Sequence, residues 1–366
     1  GFAACGKLFN SLFGINYQVA MMLSALLIVG YTITGGFNAV CVTDLVQSIV
    51  MTGALAIVLI YGISRAGGWT AVMDNAAALP GYLSLTSTFD VASGSEVKYN
   101  FLTIFSTAAW GLGYFGMPHI LVRFMAIEDE KKLVLSRRIA SVWVVIAMTA
   151  GVLIGIVGLG MTKAGALETL TGSNSETIIV RIAGIISQHN ALTALIAGII
   201  LAGILAATMS TADSQMLAAA SGVSQNIVHD FLKIKISEKT NLLIARLTIV
   251  GIAIVSIFLA RNPDSSVFKI VSFAWAGFGG AFGAVVLCSL FWKRCNLAGA
   301  IAGIISGGAT VFIWKYLIRP LGGILDIYEL LPAFIVSLIF IIVVSLLTKA
   351  PDEEIVREFE AAGKKA

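Results

Sequence analysis

Hydrophobic residues in this chain do not alternate with polar ones; they run on without interruption. A bilayer's hydrocarbon core is about 30 Å thick, so a helix needs about 20 largely apolar residues to cross it. Nine uncharged or nearly uncharged runs reach that length, over residues 20–42, 45–64, 101–122, 139–162, 191–212, 242–260, 267–292, 297–318 and 329–348. Each predicts a spanning helix. Lys269 and Lys315 sit near the ends of their runs, where a long side chain reaches the headgroups. Two intervening segments are long, 65–100 and 163–190. Within the second, Glu176–Gln188 is apolar on much of its surface, but its 13 residues are too few to cross. It reads either as a lid helix on the outer face or as an ordinary interfacial helix. The polar tail predicts a short helix beginning near Pro351.

Composition agrees with the pattern. Of 366 residues, 58% are hydrophobic and only 12% charged, against roughly 25% charged in an ordinary soluble domain. A soluble fold has no means of hiding that much apolar surface, so the class is an all-α polytopic membrane protein embedded in a lipid bilayer. Lys and Arg are retained on the cytoplasmic side, and their distribution sets the orientation. Segment 123–138 holds five, 213–241 three, 293–296 two and the tail after Leu347 four, whereas the alternate segments hold at most two each. The basic set, with the C-terminus, is therefore placed in the cytoplasm. The net charge of +4 is accounted for by this bias and implies no nucleic-acid partner.

Reactive chemistry is sparse. Cys5, Cys41, Cys288 and Cys295 show no metal-binding spacing, and His119, His189 and His229 are isolated, so no catalytic residue is assigned and the chain reads as a non-enzyme. The chain opens on Gly1 with neither a basic n-region nor a cleavage site, and with an odd number of spans; it reads as a truncated sequence.

Two runs carry polar or helix-breaking residues that a plain span does not need. In TAAWGLGYFGMPHILVRF, Trp110 and Tyr114 share a helical face, and Gly111, Gly113, Gly116 and Pro118 then interrupt the helix. Unwound backbone at membrane depth is tolerated where it lines a cavity or meets other protein groups, and broken helices build the midplane sites of many transporters. A kink made only for packing is the alternative. In GILAATMSTADSQMLAAASG, Ala207, Ser210 and Thr211 share one face, and Ser210, Asp213 and Ser214 share another a turn along. Each hydroxyl taken singly is expected to bond back to its own helix, but two oxygen clusters in series suit a hard cation. An aspartate there costs about 3 kcal/mol at the helix centre and reads as functional, the alternative being an Asp213 that faces interfacial water. Asp44 falls in the two-residue gap, Thr43 and Asp44, between the first two runs. It is expected to cap the second of them at a tight cytoplasmic turn, its carboxylate pointing into an inner vestibule.

The strings AWGLGYFGMPHILVRFMA, ILAATMSTADSQ and FAWAGFGGAFGAVVLCSLFW, in this order and spacing, resemble the sodium:solute symporter family, and the match runs from Gly6 to the tail. The resemblance implies a LeuT-type inverted-repeat transporter fold, incomplete at the N-terminus. Residues 1–19 would end core helix three and form an outer loop, and 20–64 would form core helices four and five. An outer loop over 65–100 would follow, then core helices six to ten over 101–293, two additional helices over 294–348 and a cytoplasmic tail over 349–366. It implies sodium-coupled symport of L-proline across the cytoplasmic (inner) membrane by alternating access. The alternatives are another solute of the family, such as pantothenate or a compatible solute, and, further off, a sensor or channel. Sodium would be bound by the Ala207 carbonyl and the Ser210 and Thr211 hydroxyls. Trp110 and Tyr114 would line the substrate pocket, with Pro118 shaping the break. Asp44 resembles an aspartate near the sodium exit path that, in some members, joins hydroxyls of core helix eight in a second cation site. Here that site would comprise Asp44, Asp213 and Ser214, with Asp213 replacing a hydroxyl.

Overall fold

In hydrocarbon every backbone N–H and C=O must be satisfied within its own segment, so the apolar runs fold as helices. The computed structural model describes residues 1–234 and 236–365; Lys235, counted above in segment 213–241, and Ala366 of the tail lie outside them. The chain begins with α1 (Phe2–Phe13), α2 (Tyr17–Arg65) and α3 (Trp69–Ala77). A hairpin of β1 (Ser87–Asp90) and β2 (Ser95–Lys98) precedes α4 (Phe101–Ala108), α5 (Trp110–Gly113) and α6 (Pro118–Met125). Then come α7 (Lys132–Lys163), α8 (Ile178–Ser187), α9 (Ala191–Ser221) and α10 (Glu238–Leu259). The remainder is α11 (Val267–Phe278), α12 (Ala284–Phe291), α13 (Leu297–Ile313), α14 (Leu330–Leu347) and α15 (Glu353–Lys365).

Seven helical stretches among the described residues are long and apolar enough to cross a membrane. One of them, α2, has 49 residues. At 1.5 Å per residue that is about 73 Å, more than twice the hydrocarbon thickness. It is two helices merged across a break at Gly36, which has φ 67° and ψ −179°. The expected turn at Thr43 and Asp44 is therefore corrected. The chain breaks where a glycine admits a positive φ, while Thr43 stays helical, its hydroxyl donating to Ala39 O at 3.0 Å and Val40 O at 2.9 Å. Asp44 lies inside the second helix and is not its cap. Counting α2 as two spans and the interrupted α4–α6 run as one accounts for the nine apolar runs.

The chain divides into two compact units, residues 1–83 with 127–267, and 84–126 with 268–366. In the first, α9 belongs to both core clusters. Its early residues Ala197 and Ile200 pack with Val58 of α2, Val157 of α7 and Ile182 of α8, while its later Met216 and Ala220 pack with Met21 and Ile28 of α2 and Ile249 of α10. The polar stretch 207–214 lies between these anchored ends. In the second unit, Gly299, Gly303 and Gly307 form a stripe on α13 that admits α14: Ser337 Oγ donates to Gly303 O at 3.0 Å. Small residues at this spacing let membrane helices approach backbone to backbone. Four-residue strands β1 and β2 pair antiparallel, Ser87 opposite Lys98; no hairpin was expected in the 65–100 segment. The tail helix α15 starts two residues after Pro351, close to its expected position.

Candidate functional site

The oxygen cluster of the first unit is built on α9. Asn190 opens this helix with a capping box, its side chain accepting from Thr193 N at 3.0 Å while Thr193 Oγ1 accepts from Asn190 N at 2.9 Å. Farther along the helix, the hydroxyls of Ser210 and Thr211 both donate to Ala207 O, each at 3.2 Å. The back-bonding expected of single hydroxyls thus occurs, and because both choose one carbonyl it gathers three oxygens at one point. Hydroxyl oxygens that donate a proton keep lone pairs for a cation.

One turn along, Asp213 is fully buried. This excludes the alternative of an interfacial carboxylate in water. Its Oδ1 accepts from Ser214 N at 2.6 Å, and its Oδ2 accepts from the hydroxyl of Tyr31 on α2. Ser214 Oγ donates to Ser210 O at 2.8 Å and lies 3.4 Å from Asp44 Oδ2 and 3.3 Å from Asp213 Oδ1. The two carboxylates can therefore be no farther apart, oxygen to oxygen, than those last two distances laid end to end. Ser214 Oγ thus lies beside both Asp44 and Asp213, the three residues that the resemblance groups together. Tyr31 was missed, although a phenol inside an apolar run signals a hidden acceptor.

The aromatic cluster of the second unit forms where the α4–α6 run breaks. Trp110 begins the single turn α5, Tyr114–Gly116 tighten into a 3-10 turn, and Met117 is extended at φ −84°, ψ 110°. Pro118 then starts α6 at a position where its missing N–H is not needed. The break is in the chain itself, and the predicted discontinuity stands. Around Trp110, three rings lie nearly parallel: Phe268 at 5.7 Å, Trp275 at 5.5 Å and Tyr328 at 5.8 Å between centroids. Trp110 is partly buried and Tyr114 is 44% exposed. Close packing at the break relies on glycine: a Cβ on Gly116 would stand 2.4 Å from Phe278 O.

A broken membrane helix edged by aromatic rings, and a spanning helix with a buried oxygen cluster, are the parts of a secondary transporter. The chain belongs to the sodium:solute symporter family, whose model matches residues 1–307. It is similar to the osmoregulated proline transporter OpuE of Bacillus subtilis (strain 168), at 38% identity over 359 residues, covering 98% of this chain and 69% of that protein. It is also similar to the sodium/proline symporter of Staphylococcus aureus, at 37% identity over 357 residues, covering 96% of this chain and 66% of that protein. The chain thus spans about two thirds of the length of these curated relatives. A solved Na+-coupled sialic acid symporter, in a substrate-bound outward-open state, aligns with a TM-score of 0.72 over 96% of this chain and 71% of its own, at 18% identity. That likeness is one of fold, and the fold is the LeuT type. The protein is a multi-pass membrane protein whose relatives are transporters.

Proposed function

We propose that this protein carries L-proline across the cytoplasmic membrane together with sodium, by alternating access, with its C-terminus in the cytoplasm. The observation that carries the substrate is the similarity, at 37–38% identity along nearly the whole chain, to proteins named for proline. The basic bias of segments 123–138, 213–241 and 293–296 supports the orientation.

Sodium is read as co-substrate, held on α9 by Ala207 O, Ser210 Oγ and Thr211 Oγ1, a set of hard oxygen donors for a hard cation. A second cation site comprises Asp44, Asp213 and Ser214, where one hydroxyl faces two carboxylates whose mutual repulsion a bound cation relieves. Proline's apolar ring is read as meeting Trp110 and Tyr114, with the Pro118 break giving the pocket its shape. Sodium binding favours the substrate-competent state, and differential affinity for the two states converts the sodium gradient into work.

Uptake of radiolabelled proline by the protein in proteoliposomes, with sodium or with choline outside, tests the reading. Saturable uptake that requires sodium is the expected result. Sodium-dependent uptake of pantothenate or a compatible solute in place of proline would reassign the substrate, and linear, non-saturable flux would indicate a channel.

A further inference from the structure

We propose that Trp275 is a positioning residue for the substrate pocket, setting the relative placement of Trp110 and Tyr114; the proposal rests on the reading above that those two rings meet the substrate. The three residues come from two elements, α11 and the broken helix, and the indole of Trp275 touches both of the others in different ways. Its face lies along Trp110, 5.5 Å between centroids and 15° between planes. To Tyr114 it is edge-on, at 4.7 Å and 82°. Its Nε1–H donates to the carbonyl of Trp110 at 2.9 Å, which ties the ring to the backbone of the break as well as to its side chain. Stacked and edge-to-face pairs each favour one geometry, so one ring engaged in both holds its two neighbours at a fixed mutual angle.

The glycine at position 113 is explained by the same ring. A Cβ on Gly113 would stand 2.1 Å from Trp275 Nε1 and 2.4 Å from Cδ1, which is inside the indole. The colliding atoms belong to a rigid ring, and no flexible end is available to move aside. Gly113 has an ordinary helical φ of −65°, so its glycine is required by this close approach and not by backbone conformation. Behind the ring, the next residue, Ala276, is fully buried against Val311, Leu330 and Ala333, so α11 offers Trp275 a fixed base. Gly113 is the notch and Trp275 the key. The aromatic pair that meets substrate is set by a residue that sequence spacing places 165 positions away from Trp110.

The test measures proline and sodium half-saturation for uptake in proteoliposomes, together with thermal unfolding, for Trp275→Ala, Trp275→Phe, Gly113→Ala and the Trp275→Ala/Gly113→Ala double variant. Trp110→Ala and Tyr114→Ala serve as reference arms. Trp275→Ala is expected to raise the proline half-saturation by about tenfold while sodium half-saturation stays within about twofold. Trp275→Phe, which keeps a ring but lacks the N–H, should fall between it and the unaltered protein. Gly113→Ala should impair proline affinity by itself but add nothing in the Trp275→Ala background, because the three atoms nearest the methyl are then gone. If Trp275→Ala does not fold, Trp275→Phe and Gly113→Ala decide the matter. Reference arms that shift proline affinity while the Trp275 and Gly113 variants do not would overturn the positioning role and leave the pocket in place. Reference arms without effect would remove the pocket itself, and the proposal with it. Equal shifts for proline and sodium would reduce Trp275 to general packing and also overturn it.

Discussion

Replacing Asp213 by asparagine separates the ionic role of this residue from its structural one. The carboxylate is fully buried, and its oxygens accept from Tyr31 Oη–H and from Ser214 N–H, the latter at 2.6 Å. Asparagine has the same shape. Its carbonyl oxygen keeps the Ser214 bond, and its NH2 faces the Tyr31 oxygen, which accepts as readily as it donates. No polar group is orphaned, so the loss of stability is expected to stay below about 1 kcal/mol. What disappears is the charge. A bond to a charged group contributes about 1.5–3 kcal/mol, which corresponds to a rise of roughly tenfold to a hundredfold in the sodium concentration needed at the second site. Sodium titration of proline uptake should therefore show a raised half-saturation and a Hill coefficient falling toward one, with an unchanged melting temperature in detergent. Asp213→Ala should behave differently, because it leaves the Tyr31 hydroxyl without its carboxylate acceptor, at about 1–3 kcal/mol, and should lower the melting temperature. An Asp213→Asn protein with unaltered sodium dependence would refute the cation-site reading and leave Asp213 as a buried hydrogen-bond centre.

Ser210→Ala and Thr211→Ala should each raise the sodium requirement by about fivefold, the loss of one oxygen contact of about 1 kcal/mol, with expression nearly unchanged; unaltered sodium titrations in both would remove α9 from the first site. Gly307→Ala places a methyl 2.0 Å from Gly280 O, a backbone atom, and should cost about 1–3 kcal/mol or more of stability in thermal unfolding, whereas Gly308→Ala meets nothing nearer than 3.8 Å and should be silent. In the hairpin, the Ser93 hydroxyl, with the Ala92 and Ser93 N–H groups, holds the Asp90 carboxyl below the usual carboxylate range. The turn is thus stabilised in full above the ordinary carboxylate value and loses that support as pH falls through the depressed one. Amide exchange protection at Ala92 and Ser93 should fall on acidification in the unaltered protein, and Asp90→Ala should abolish that pH dependence.

What could be read from the sequence follows the reach of each physical rule. Apolar runs located the spans because hydrocarbon thickness imposes one length on all of them, and Pro118 located the break because proline restricts the residue before it, here the extended Met117. The grouping of Ala207, Ser210 and Thr211 was legible because helical spacing alone brings them together. Asp44 was misplaced for the opposite reason. Its charge ended an apolar run and so resembled a boundary, but the chain turns at Gly36, and Asp44 stays helical with the Ser214 hydroxyl of another helix beside it. Tyr31 with Asp213 and Trp275 with Trp110 are pairings across 182 and 165 positions, which no local period records. The hairpin leaves no mark in the sequence pattern because its strands are four residues each with a single apolar residue, too short to show an alternation.

The bond between Tyr31 and Asp213 has an evolutionary consequence. A lineage that exchanges Asp213 for an apolar residue leaves a half-buried phenolic hydroxyl without its acceptor, and one that exchanges Tyr31 for phenylalanine strips a buried carboxylate of a donor; either single step costs about 1–3 kcal/mol, a sizeable share of a typical folding margin. Loss of both together avoids that penalty. The two positions should therefore be inherited as one character, so that among sequences of this kind an acid at the position of Asp213 travels with a hydroxyl-bearing ring at the position of Tyr31, and the pair is gained or lost in a single passage.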